Sequence, residues 1–285
     1  MMNHKTTGAA VLTAVVGMLP AVGFASVPTT DPADDTSADS VTVSDLAPID
    51  LADVCPSPFV IQTDWFPESE YGATYNLLGD EYTIDADNKI VSGPLIAGGQ
   101  PTGIDVEIRA GGPAIGSGDV ETEMYLDDDI ALGYATTDGQ VKAFAVTPLL
   151  SVVAPLEENP QMIMWDPATY PEVETIADLG AAGVIINVFG GQTFTDILVG
   201  QGVLDESQVD PSYDGTSRAF VGADGAIAQQ GFASSEPYLY EHVADTGWNA
   251  PVAYQTIHDA GFQVYSQTLA VRPDRLEELR PCLEL

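Results

Sequence analysis

Positive charge is what this sequence has least of. Eight Lys and Arg stand against 43 Asp and Glu, a formal net charge of −35. Phosphate contacts need basic side chains, so the balance argues against nucleic acid and anionic membrane as partners. It also leaves a multiply charged anion few groups to hold it, which favours a neutral or cationic ligand. Cysteine is nearly missing: there are two, Cys55 and Cys282, with no Cys-x-x-Cys spacing and no His near either in sequence. That argues against a zinc-type Cys/His set, and no metal or cofactor is expected. Gly-x-Ser-x-Gly, His-Glu-x-x-His and the phosphate-cradling Gly-Lys-Ser/Thr are also absent, so three common enzyme chemistries have no carrier. Of the three His, His4 lies near the start, while His242 and His258 read as solvated helix or loop residues. Long apolar runs are lacking too, and no stretch after residue 25 approaches bilayer-spanning length.

What is present begins with an export signal. Residues 1–25 carry His4 and Lys5, an apolar stretch broken by Pro20, and Gly23-Phe24-Ala25 before Ser26, the pattern of a cleaved secretory signal peptide. No Cys follows that site directly, so a lipid anchor is not expected, and the mature chain is expected to be periplasmic or extracellular. Residues 26–54 are rich in Asp, Ser, Thr, Pro and Ala without a basic or aromatic residue, which predicts a disordered acidic linker. An exported chain with two Cys invites one Cys55–Cys282 disulfide that brings the chain ends together; free thiols or a metal pair are the alternatives.

From Cys55 onward the pattern is α/β, with strands and helices alternating as in a mainly parallel sheet. Phe59-Val60-Ile61 predicts a buried strand ending near Thr63, and the spacing of Tyr71, Tyr75 and Leu78 predicts a helix over 68–78. Between them Asp64 and Trp65 sit just past a strand's carboxyl end, where open sheets hold ligands. A structural Trp beside a capping Asp64 is an equally simple reading. Polar and glycine-rich turns are expected to residue 103, then a strand over 103–109, a short helix over 119–126, a strand over 130–134 and a helix from Thr136. Residues 149–155 and 161–165 are adjacent apolar segments suited to a passage between lobes. A helix over 175–179 and a doubly buried strand over 183–189 lead into Gly190-Gly191-Gln192-Thr193. That turn opens a helix whose N–H groups suit a carboxylate, phosphate or sulfonate, unless it is an ordinary tight turn. Further on, the reading is a strand-like 220–222, a helix over 223–230, a short strand over 231–238, strands over 251–257 and 261–269, and a final helix stopped by Pro281.

Thr63-Asp64-Trp65-Phe66-Pro67 with Tyr71-Gly72 and Tyr75, the Gly190 turn, the 231–238 segment and Tyr265-Ser266-Gln267-Thr268-Leu269 together resemble the solute-binding proteins of ABC importers. The branch is that of thiamine pyrimidine precursors, sulfonates, taurine and nitrate. The resemblance spans 59–269. It implies a two-lobed, periplasmic-binding-protein-like (type II) α/β fold with two interlobe crossings, near 161–165 and 232–236. Lobe one would then be 55–163, lobe two 164–234, and 235–285 the return to lobe one. Members continue with several further helices past a position like Cys282, which opens the reading of a C-terminally truncated chain with an incomplete first lobe. A Cys55–Cys282 link fits, since both ends would lie in lobe one.

The implied function is capture by hinge closure and delivery to a membrane permease, by a monomer without enzymatic activity. Trp65, Tyr71 or Tyr75, Tyr134 and Tyr238 are candidates to sandwich a flat ligand, and Asp64 and Glu236 to accept hydrogen bonds from it. The expected ligand is a small aromatic, amine-bearing molecule of the thiamine-precursor pyrimidine type. The alternative is a small anion, a sulfonate, taurine or nitrate, on Gly191, Gln192 and Thr193. A secreted hydrolase with a carboxylate pair is the reading from another class, although no pair stands out in the sequence. A ligand sensor that feeds no permease is a third.

Overall fold

A computed structural model of the chain describes residues 49–285. The signal peptide and the linker up to residue 48 lie outside the described residues. The rest of that expected linker does not behave as one: Leu51 is buried in the core and its N–H donates to the Thr102 carbonyl at 2.8 Å. The folded part therefore begins before Cys55, because one apolar side chain finds a pocket that the acidic composition around it does not announce.

The fold is α/β and two-lobed, each lobe built on its own sheet. In the first, the central strand β1 (Phe59–Gln62) runs parallel to β4 (Gln100–Arg109) and β5 (Ile130–Ala135). β4 shows why these residues make a strand: Thr102, Ile104, Val106 and Ile108 alternate inward. β5 is buried at every residue: strands pair with both its edges, and its side chains enter two core clusters, Leu132 and Tyr134 in one and Ile130 and Ala135 in the other. Outside β4 lies an antiparallel hairpin, β2 (Thr83–Asp85) and β3 (Ile90–Ala97), in the region read as turns. Gly98 and Gly99, both at positive φ, make the two-residue turn from β3 to β4, and Pro94 sits at a register shift, so breaker residues here punctuate strands. The helix expected over 68–78 is a short 3-10 turn, Ser69–Tyr71, followed by α1 (Gly72–Tyr75). Helices α2 (Val120–Leu126), capped by Asp119, and α3 (Thr137–Ala143), capped by Thr136, fall where the sequence puts them.

After β6 (Leu150–Val153) the chain leaves the first sheet and enters the second as β7 (Gln161–Trp165). The second sheet is ordered β11 (Ala253–Thr256), β7, β10 (Ala228–Phe232), β8 (Ile186–Asn187) and β9 (Val209–Asp210), with β8 parallel to both β10 and β9. Helix α4 (Ile176–Ala182) precedes β8 and α5 (Thr193–Gly200) follows it. The expected order of strand then helix over 220–230 is reversed: α6 (Arg218–Gly222) comes first and β10 after it. Residues 236–238, read as strand, open helix α7 (Glu236–His242).

The return also differs from the expectation. β11 (Ala253–Thr256) still pairs with β7 in the second sheet, and the first strand back in the first sheet is β12 (Thr268–Val271). The second crossing is therefore 257–267 rather than 232–236, and the first is 154–160, just ahead of β7. The last helix, α8 (Leu276–Leu283), runs through Pro281 instead of stopping there, and Cys282 on it is bonded to Cys55.

Candidate functional site

Parallel strands carry their carboxyl ends to one edge, and both sheets turn that edge toward the gap between the lobes. β1 ends at Gln62, and Thr63 leads on to Asp64 and Trp65; β5 ends at Ala135 and delivers Thr136. From the other side β8 runs into Phe189 and the Gly190 turn, β9 into Tyr213, and β10 into Phe232. Together these rims enclose a cavity of about 550 Å³.

The indole of Trp65 forms the waist of the cavity. On its own lobe it lies against Gly112, where a Cβ would come within 2.4 Å of Cε3, and from the second lobe Gly215 approaches so closely that a Cβ would lie 2.6 Å from Cζ2. Both glycines have positive φ, at 58° and 81°. Phe189 meets the indole edge-on at 5.5 Å and Tyr213 packs against Phe189 at 4.7 Å with the rings tilted by 55°, so an aromatic wall runs from one lobe into the other. Polar contacts also bridge the lobes: Ser69 Oγ donates to the Ser234 carbonyl at 2.8 Å, Ser234 Oγ donates to Glu70, and Lys142 Nζ donates to the Gly191 carbonyl at 2.8 Å.

Electrostatically the cavity is acidic. Asp64, Glu68, Asp119, Glu121, Asp138 and Glu236 line it, and among the described residues that do so Lys142 is the one basic side chain. The five described arginines are each paired with carboxylates elsewhere, Arg109 with Glu107 and Asp127, Arg272 with Asp128 and Asp274, and Arg218, Arg275 and Arg280 with acids on nearby turns. Burial lifts the Asp64 carboxyl to about 6, against a lowering hydrogen bond from the Tyr71 hydroxyl at 2.7 Å. Burial, reinforced by Glu236, Glu70 and Asp64, raises Glu68 to about 8. Glu236 is raised to about 7 by burial, offset by the Phe232 N–H that it accepts at 2.6 Å. Gly231 makes this fold-back possible, since a Cβ there would come within 3.0 Å of the Glu236 carboxyl carbon. Burial also raises Glu121, and it lifts the Tyr71 phenol far above its usual range with Asp64 alongside.

Of the residues singled out in the sequence, Asp64, Trp65, Tyr71, Tyr134, Gly191, Gln192, Thr193 and Glu236 line the cavity. Two do not. Tyr75 borders a separate hollow of about 170 Å³ with Phe66 and Lys89, because the helix that was to turn it inward stops after one turn. Tyr238 is 66% exposed and packs on His242, being on the outer side of α7. Tyr71 and Tyr134 are fully buried and meet edge-to-face at 5.1 Å, so each offers the cavity a small part of its ring. The sequence reading missed Glu68, Glu121, Phe189, Tyr213, Asn159, Ser266 and Gln267, all of which line the cavity. Glu68 and Phe189 had a signal, their nearness to the Trp65 and Gly190 rims; Asn159 stands in a loop with none. Among the described residues no set of three or more His, Cys, Asp or Glu side chains is arranged to hold a metal ion.

No protein-family model and no curated protein matches the chain. Solved structures are similar to it at a distance. The VFT2 domain of Bordetella pertussis BvgS is 14% identical over 82% of this chain and 89% of that one, with a TM-score of 0.49. An arginine transport-system periplasmic binding protein from Legionella pneumophila is 13% identical over 80% and 93%, with a TM-score of 0.47. The tungstate-binding protein TupA from Desulfovibrio alaskensis is 15% identical over 81% and 91%, with a TM-score of 0.45. Two of these are named for different ligands, arginine and tungstate, and at these identities neither carries over to this chain.

Proposed function

We propose that the chain is the extracytoplasmic solute-binding component of an ABC importer and captures a small amine-bearing molecule by closing its two lobes around it. The observation that supports this best is the lining of the cavity, six carboxylates to one lysine around an indole. A cationic or amino-substituted ligand gains Coulomb attraction and charge-assisted hydrogen bonds from such walls, while an anion meets repulsion. Trp65 contacts both lobes, so a flat ligand beside it would be touched by both and would shift the population toward the closed form. The resemblance of the Asp64-Trp65-Phe66-Pro67 segment to the thiamine-precursor branch favours a pyrimidine-like ligand, a monomer and delivery to a membrane permease.

Isothermal titration of the mature protein against an aminopyrimidine and against taurine tests the reading. Binding of the first and not the second is expected, with Asp64→Asn and Glu236→Gln each weakening it about tenfold or more. The reverse preference would sink it in favour of the anion alternative, for which Gly191, Gln192 and Thr193 at the start of α5 line the cavity. A hydrolase has one feature on its side, the raised Glu68 near Asp64 and Glu236; a panel of chromogenic glycosides is expected to show no turnover.

A further inference from the structure

We propose that the ligand has a second, uncharged end that both donates and accepts hydrogen bonds, which makes it a hydroxylated amine. This rests on the amine reading above and specifies the rest of the same ligand. The carboxylates Asp64, Glu68 and Glu236 come from the rim of β1 and the start of α7. A different set of groups comes from the two crossings. Asn159 lies in the first crossing, Ser266 and Gln267 in the second, and all three line the cavity. They are 2%, 4% and 3% exposed. Yet Asn159 Nδ2, Ser266 Oγ and Gln267 Oε1 have no hydrogen-bond partner among the described residues. The Asn159 amide is oriented by its other atom, since Oδ1 accepts the Gln161 N–H at 2.8 Å, which leaves Nδ2 as a donor.

Buried polar atoms without partners are costly, and these three, with Thr193 Oγ1 on the Gly190 turn, are the ones that belong to residues lining the cavity, which points to partners supplied by what binds there. The chemistry of the set narrows the partner. It holds one donor, two hydroxyls that serve as either, and the Gln267 amide, which can present its oxygen or its nitrogen. A carboxylate or sulfonate would add negative charge to a cavity already lined by six carboxylates, and an ammonium leaves the Asn159 donor without a partner. A hydroxyl-bearing chain satisfies all four. Lys142 does not turn this end into an anion site, because it is exposed and already donates to the Gly191 carbonyl. Because Asn159, Ser266 and Gln267 sit on the segments that join the lobes, contact with this end also ties ligand chemistry to the hinge.

Titrations of the mature protein at pH 8 with N-methylglucamine, N-methylhexylamine and sorbitol separate charge from hydroxyls on one carbon chain. N-methylglucamine is expected to bind at least tenfold more tightly than either of the others. Ser266→Ala/Gln267→Leu should remove that advantage, leave N-methylhexylamine unchanged, and raise the melting temperature of the unliganded protein by removing the unpaired atoms; Ser266→Ala alone serves if the double variant does not fold. Equal affinity for the two amines, or equal weakening of both by the variant, overturns the hydroxylated end while amine capture stands. Failure of both amines where an aminopyrimidine binds overturns the hydroxylated end and leaves amine capture standing; failure of all three amines, or sorbitol binding as tightly as N-methylglucamine, overturns both readings.

Discussion

At the scale of single residues, two atoms that are not there decide the geometry of the site. Trp65 fits because Gly112 and Gly215 have no Cβ. The two glycines act on different states, since Gly112 belongs to the same lobe as the indole and Gly215 to the other. Gly215→Ala should therefore obstruct closure while costing the fold only about 1 kcal/mol for a non-glycine residue at positive φ. The expected result is a ligand affinity lowered about tenfold or more, against a nearly unchanged urea-unfolding midpoint; a loss of stability without loss of affinity would contradict it. The carboxylates make a second prediction at this scale. Burial raises Asp64, Glu236 and Glu68 to about 6, 7 and 8, so the folded state holds their protons more tightly than the unfolded chain does. Their contribution to stability is complete below about pH 4 and is lost as pH rises through those values. Unfolding of the unliganded protein followed between about pH 5 and 9 should show stability falling, and Glu68→Gln/Glu236→Gln should flatten the fall. Affinity for an amine should rise over the same window, as the carboxylates ionise.

At the scale of elements, local signals were read well where the chain obeys its own propensities. α4 carries a capping box, Thr175 accepting the Asp178 N–H at 3.2 Å and Asp178 accepting the Thr175 N–H at 2.9 Å, and its start is legible from sequence. Thr175→Ala should cost about 1 kcal/mol by denaturant titration and leave ligand affinity unchanged, because α4 packs into the second lobe's core and does not line the cavity. β10 is the opposite case. Ala228-Gln229-Gln230 suits a helix by composition, but it is a central strand between β7 and β8, where each Gln side chain finds one partner and Gln229 Oε1 has none among the described residues. Gln229 Nε2 donates to Tyr240 Oη at 2.6 Å and Gln230 Oε1 accepts the Phe189 N–H at 3.0 Å. Neither partner is near in sequence, so no local pattern reveals the strand. The misplaced return crossing follows from the same error, since reading 231–238 as a strand put the passage back to lobe one some thirty residues early.

At the scale of the whole molecule, the Cys55–Cys282 bond ties the start of the first lobe to its last helix across 227 residues of sequence. A loop of that length constrains the unfolded chain by about 5 kcal/mol in the chain-entropy account. Cys55→Ser/Cys282→Ser should lower unfolding free energy by up to about that amount without changing what the cavity binds, because both cysteines lie outside it. The acidic surplus also acts at this scale: with the described arginines held in ion pairs away from the cleft, the field inside the cavity is left to the carboxylates.

The sequence by itself determined the α/β class, the Asp64-Trp65 rim, the Gly190 turn and the acidic lining of the cavity, because each depends on composition or on neighbours a few residues apart. It also brought the two cysteines together, since a chain with two has one pairing within itself available. Only the tertiary structure decided that Asn159, Ser266 and Gln267 face one cavity, that Tyr75 and Tyr238 do not, and where the chain passes home. Those facts depend on which segments two sheets bring face to face, and that is settled by burial summed over the whole fold.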